Sequence, residues 1–160
     1  MPRGKRILLS NVCYHVINRG NQKQSIFTDD SDFGQYLQIL KHCKKKYNFR
    51  LFGYCLMPNH IHLILEPKEP SDLAKAMQTL TQIYTAWFNN KYEKVGHLWQ
   101  GRFKSMVIQR DDYFIDCVSY VEANPVRAGL VSSPVDYLWS SYRDRVFGNK
   151  NWLIDFADST

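Results

Sequence analysis

The 160-residue chain has no apolar run approaching the roughly 20 residues that a membrane-spanning helix needs. Its four cysteines, Cys13, Cys43, Cys55 and Cys117, are spread out and form no Cys-x-x-Cys pair. That pattern provides neither a disulfide framework nor a zinc clip, and predicts buried thiols in a reducing cytoplasm. The opening MPRGKRILLSNV turns polar too soon for a signal peptide. Internal repeats and low-complexity linkers are also missing. What is present is 44% hydrophobic and 14% aromatic residues, a globular composition that one domain, 1–160, accommodates.

The net charge of +6 is uneven. Residues 1–50 hold ten Lys/Arg against three Asp, whereas the two later stretches are close to neutral. A basic N-terminal third suits a polyanion-facing surface. A lysine-rich solvated helix face gives the same count, and Lys41, Lys44, Lys45 and Lys46 also suit a helix C-terminus.

Hydrophobic periodicity sets out the elements. Residues 12–18 read as a strand with Tyr14, Val16 and Asn18 on one face and Cys13, His15 and Ile17 on the other. Thr28-Asp29-Asp30-Ser31 supplies helix N-caps, and Phe33, Tyr36, Leu37, Leu40 and Cys43 carry a helix to about Tyr47. Residues 49–57 and 60–66 form an antiparallel hairpin across Pro58-Asn59. Ser71-Asp72 caps a long helix with the apolar stripe Leu73, Met77, Leu80, Tyr84, Trp87 and Phe88, read as core. A fourth strand runs from Phe103 to Gln109, and a helix from Asp111-Asp112 ends near Asn124-Pro125, because a residue before proline disfavours helical geometry. Trp139, Tyr142, Phe147 and Trp152 are scattered through a polar tail. The order β-α-β-β-α-β plus a helix and tail is the split βαβ, ferredoxin-like α+β pattern, with the first and third strands central.

Two stretches carry candidate chemistry. In 57–67, MPNHIHLILEP, the side chains of His60 and His62 share a strand face, about 7 Å apart at Cα, and could hold a divalent metal. A half-exposed strand with incidental histidines fits the spacing equally. On the last helix, at about 100° per residue, Cys117, Tyr120 and Asn124 fall within about 40° of Tyr113. Phe114, Val118 and Val121 form an adjoining apolar face, and Glu122 points away. If that face packs, Tyr120 and Asn124 sit together at its edge. Spacing alone leaves open a core tyrosine and an asparagine cap.

HIH at 60–62 within MPNHIHLI resembles the His-hydrophobic-His motif of the single-tyrosine HUH transposases. SYVEANPVRAGLV at 119–131 resembles the tyrosine helix of the REP-associated tyrosine transposases, and YHVINRGN at 14–21, GRF at 101–103 and WSSYR at 139–143 are similar to the same group. The likeness runs in order through nearly the whole chain. It implies a ferredoxin-like fold with an added catalytic helix, His60, His62 and Asn124 as ligands of Mg²⁺ or Mn²⁺, and Tyr120 as nucleophile. The implied activity is cleavage and rejoining of single-stranded DNA beside palindromic hairpin repeats, through a 5′-phosphotyrosine, by a cytoplasmic monomer or homodimer. Lys44, Lys45, Lys46, Arg102 and Lys104 could grip the backbone. The alternative of the same fold is a domesticated protein that binds hairpin DNA or RNA without cutting. A zinc hydrolase would need a third strong ligand, for which His15 and His97 are the candidates; both read as structural.

Overall fold

The structure, a computed structural model, describes residues 12–108, 112–148 and 153–156. Arg3, Lys5 and Arg6, the expected strand end at Gln109, the helix start at Asp111, and Trp152 lie outside the described residues. Cys13–Arg19 form strand β1, followed by helix α1 (Asp30–Tyr47), the hairpin β2 (Arg50–Met57) and β3 (His60–Glu66), helix α2 (Pro70–Tyr92) and strand β4 (Lys104–Ile108). Among the described residues three short α-helices follow: α3 (Asp112–Glu122), α4 (Asn124–Arg127) and α5 (Tyr142–Phe147). The four strands form one antiparallel sheet in the order β2-β3-β1-β4, so β1 and β3 are central as expected.

Local chemistry accounts for the helix ends. The Asp29 carboxylate accepts from the Asp32 amide, and the Asp32 carboxylate accepts from the amides of Thr28 and Asp29, closing a reciprocal cap on α1. Lys91 and Tyr92, at the end of α2, donate to Asp32, at 2.7 and 2.5 Å, and so tie the two helices together. Asn48 ends α1 in the left-handed region with φ 54°. The cap of α2 differs from the expected Ser71-Asp72. Glu69 stands at the N-cap with no side-chain bond and Pro70 opens the helix, because proline's missing N–H costs nothing in the first turn. The final helix also divides. α3 stops at Glu122, and Asn124–Arg127 make a separate turn whose Arg127 amide bonds the Ala123 carbonyl.

Each face of the sheet has its own core. On one, Tyr14, Val16, Ile61, Leu63 and Leu65 pack against α1 and α2 through Tyr36, Leu40, Leu80, Tyr84 and Phe88. On the other, Cys13, Phe52, Cys55 and Ile64 pack under Phe114, Val118 and Val121 of α3. Cys13, Cys43 and Cys55 are buried thiols and Cys117 is half-buried, with none of the four in a disulfide.

The tail covers the edge of β2, which would otherwise offer unpaired backbone groups. The Leu56 amide bonds the Trp139 carbonyl at 2.8 Å, Tyr54 and Ser141 exchange bonds, and the Asp155 amide reaches the Leu51 carbonyl at 2.7 Å. Trp139 stacks on Phe33 with centroids 4.9 Å apart. Lys44, one of the lysines that could grip a DNA backbone, pairs with Asp155 at 3.0 Å.

Candidate active site

β3 places His60 and His62 on the face that carries α3, and their ring centroids lie 4.9 Å apart. His62 is 5% exposed. Its Nδ1 hydrogen-bonds His15 Nε2 at 2.9 Å, the two rings stacking with centroids 5.1 Å apart. Its Nε2 is buried with no partner. His60 Nδ1 pairs with Asn59 Oδ1 at 2.7 Å. An amide oxygen only accepts, so His60 carries its proton on Nδ1 and presents a lone pair on Nε2. If His62 donates from Nδ1 to His15, its Nε2 also offers a lone pair, the tautomer that a metal ligand requires.

Electrostatics favour the neutral rings. Burial, then the nearby Arg19, pushes the His60 imidazole down to about 4. Burial, then His60, His15, Arg19 and Arg127, pushes His62 down to about 3. His15 is lowered by burial. All three are therefore uncharged at neutral pH, ready to coordinate without first losing a proton. Cys55, opposite His62 in the hairpin, is pushed up to about 12, chiefly by burial, so it is a packed thiol rather than a thiolate.

The α3–α4 segment brings the other two residues to one side chain. Packing of Phe114, Val118 and Val121 against the sheet leaves Tyr120 56% exposed, with Tyr113 70% exposed on the same stripe. Asn124 is half-buried, its Nδ2 donating to the Val121 carbonyl at 2.9 Å. Arg127 joins them. Its guanidinium lies 3.8 Å from the centroid of the Tyr120 ring, and its Nη2 donates to the Tyr120 carbonyl at 2.7 Å and to Asn124 Oδ1 at 2.9 Å. Its charge is also felt at His62, where it helps to lower the imidazole.

The donor set suits a divalent cation. Among the described residues no group of three His, Cys, Asp or Glu could hold one, so any third protein ligand would be another oxygen donor, of which an amide is one kind. Two neutral imidazoles, one with a buried unpartnered Nε2, and an amide oxygen that keeps a second lone pair are the donor types of a mixed N/O site.

Other predicted residues fall elsewhere. Glu122 points away from Tyr120 as expected but is buried, accepting from Ser141 Oγ at 2.5 Å and from Arg145, so it anchors the tail. His97 is exposed beside α2, away from the histidine pair. His15, read from sequence as structural, touches His62 directly. Arg127 and Arg19 were missed. Arg127 lies within the quoted tyrosine-helix segment, and Arg19 sits opposite His60 in the β1–β3 register.

Comparison with known proteins adds the lineage. The model of the family described as IS200-like transposases matches residues 8–124. A candidate REP-associated tyrosine transposase of Haemophilus influenzae is 30% identical over 118 residues, 67% of this chain and 64% of that one, so the match spans less than two thirds of that relative. The REP-associated tyrosine transposase of Escherichia coli is 25% identical over 153 residues, covering 91% of this chain and 86% of that protein. A solved REP-associated tyrosine transposase bound to a REP hairpin shares the fold, with a TM-score of 0.75 at 20% identity over 100% of this chain and 96% of that one.

Proposed function

The chain belongs to the IS200-like transposase family, and from that premise we propose that it cuts and rejoins single-stranded DNA beside hairpin-forming repeats, with Tyr120 as nucleophile. The observation that carries the reading is the buried, unpartnered Nε2 of His62, on the sheet face covered by the tyrosine helix. His60, His62 and Asn124 would hold Mg²⁺ or Mn²⁺. When bound, the cation supplies charge stabilisation to the scissile phosphodiester.

The chain's own residues do the rest. The Tyr120 oxygen attacks phosphorus and loses its proton, the bond from phosphorus to the 3′ oxygen breaks, and the departing strand end takes up a proton as a 3′-hydroxyl. The 5′-phosphate stays on Tyr120 as a phosphodiester, so a second 3′-hydroxyl can displace the tyrosine without ATP. Arg127 stacks on the Tyr120 ring and bonds its carbonyl, limiting the sweep of an exposed side chain. Arg19 and Arg127 place positive charge around the histidine pair, where the phosphate would sit.

One observation favours the binding-only alternative: the Asn124 oxygen accepts from Arg127. Trapping the covalent intermediate separates the two. Labelled hairpin DNA with Mn²⁺ on a denaturing gel should give an adduct whose modified peptide carries Tyr120. Tyr120→Phe removes one oxygen and should abolish it with little change in hairpin affinity, while Tyr113→Phe keeps it. An adduct on Tyr113, or none with the unaltered chain across a set of repeat hairpins, sinks the assignment.

A further inference from the structure

Glu122 is the last residue of α3, two positions after Tyr120, and only 1% of it is exposed. Its carboxylate is engaged at both oxygens. Oε2 accepts from Ser141 Oγ at 2.5 Å, and Oε1 accepts from Arg145 through Nε at 3.0 Å and through Nη2. Ser141 and Arg145 stand one turn apart at the start of α5, where the Arg145 amide bonds the Ser141 carbonyl at 2.9 Å. That spacing puts both donors on one side of the turn, facing the same carboxylate.

The same serine is fastened to β2. Its Oγ accepts from the Tyr54 amide at 2.9 Å, and its own amide donates to the Tyr54 carbonyl at 3.0 Å. Gly53 lies beside it: a β-carbon there would touch Ser141 Oγ at 3.4 Å and Val118 of α3 at 3.5 Å. Helix, tail and strand therefore meet at one point. Cys55, the next residue of β2 after Tyr54, is the register partner of His62. The end of the tyrosine helix and the histidine strand are thus both referenced to neighbouring residues of β2.

We propose that Glu122 is a positioning residue for the nucleophile: with Ser141 and Arg145 it sets how far α3 is advanced over the histidine strand and how it is rotated. The inference rests on the reading of Tyr120 as nucleophile and deepens it. Phe114, Val118 and Val121 hold α3 to the sheet, but apolar contact is non-directional and tolerates small slips. Hydrogen bonds to a carboxylate are directional, so those from Ser141 and Arg145 fix both position and rotation. Stability does not account for the choice, because an ion pair taken out of water is often no better than apolar side chains of similar volume. In-line attack does, since a displacement of about 1 Å can cost 10²-fold in rate.

The test follows single-turnover adduct formation with a labelled repeat hairpin and Mn²⁺, alongside hairpin affinity and melting temperature. Glu122→Leu combined with Arg145→Met exchanges the ion pair for apolar side chains. This double variant should keep its melting temperature and hairpin affinity, yet form adduct about 100-fold more slowly at saturating hairpin. Glu122→Gln should recover most of the rate, because its amide oxygen still accepts from Arg145 and its NH₂ donates to Ser141 Oγ. Ser141→Ala removes one oxygen, leaves the ion pair, and should show the same split at about tenfold. If the double variant does not fold, Ser141→Ala decides alone. Parent rates in these variants would overturn the proposal. So would rate losses that track lost melting temperature or lost hairpin affinity, the pattern of a scaffold residue. A Glu122→Gln protein as slow as the double variant would make charge the cause and overturn it too. No adduct from the parent chain would instead sink the reading of Tyr120.

Discussion

The two faces of the central sheet are built from the same strands and have opposite tasks. Toward α1 and α2, β1 and β3 present Tyr14, Val16, Ile61, Leu63 and Leu65, and aromatic rings fill the space beneath them. Toward α3, the alternate positions carry Cys13, His15, Ile17, His62 and Ile64. A period of two residues sorts the strand into an apolar face and a titratable one. The first keeps the strands in register. The second uses that register to hold uncharged imidazoles where water would otherwise solvate them. Stability and chemistry are therefore separable by substitution.

The largest expected effect is on the titratable face. His62→Ala removes the unpartnered Nε2, and metal-dependent cleavage should fall at least about 10³-fold while hairpin affinity changes little. Calorimetric titration with Mn²⁺ should lose its binding signal. Full cleavage by this variant in chelator would refute the metal site.

Leu80→Ala should do the reverse. Leu80 is 1% exposed in the helix-face core, and its truncation should cost about 2–5 kcal/mol in urea unfolding. The folded fraction should still form adduct at the parent rate. A rate that falls with stability would show the faces to be coupled.

A smaller effect is expected from His15→Leu. It leaves His62 Nδ1 without its partner, so Mn²⁺ affinity should weaken about 10–100-fold. Unchanged affinity would make His15 a packing residue only.

The smallest effect concerns pH. His60 and His62 have folded values of about 4 and 3 against an ordinary 6.5. Their contribution to stability is complete above pH 6.5 and is lost as pH falls toward those values, because the unfolded chain takes up protons that the folded chain refuses. Between pH 7.5 and 5 the parent should lose on the order of 1–2 kcal/mol more than His62→Leu does, read from urea midpoints. Equal losses would place the imidazoles in a wetter site.

Much of this was legible in order along the chain. Alternation in 13–19 and 60–66 placed His60 and His62 on one central face, and the helical stripe of Phe114, Val118 and Val121 left Tyr120 exposed beside it. Tyr113 shares the stripe of Tyr120, and only the resemblance to the tyrosine-helix signature singled out Tyr120.

Contacts that join distant segments were not legible. The bond between His15 and His62 spans 47 residues and exists only because β1 and β3 pair in one register. Arg127 reaches Tyr120 and Asn124 because the chain turns at Ala123 instead of continuing α3. The scattered tail aromatics became an edge cover once Glu122 gained Ser141 and Arg145 and Trp139 met Phe33. Sequence by itself determined the elements, their buried sides and the residue types at the site, since periodicity and capping are local properties of the chain. Tertiary structure decided which polar atoms are paired and which are left open, because a hydrogen bond needs its partner within about 3 Å and only the assembled register sets that distance.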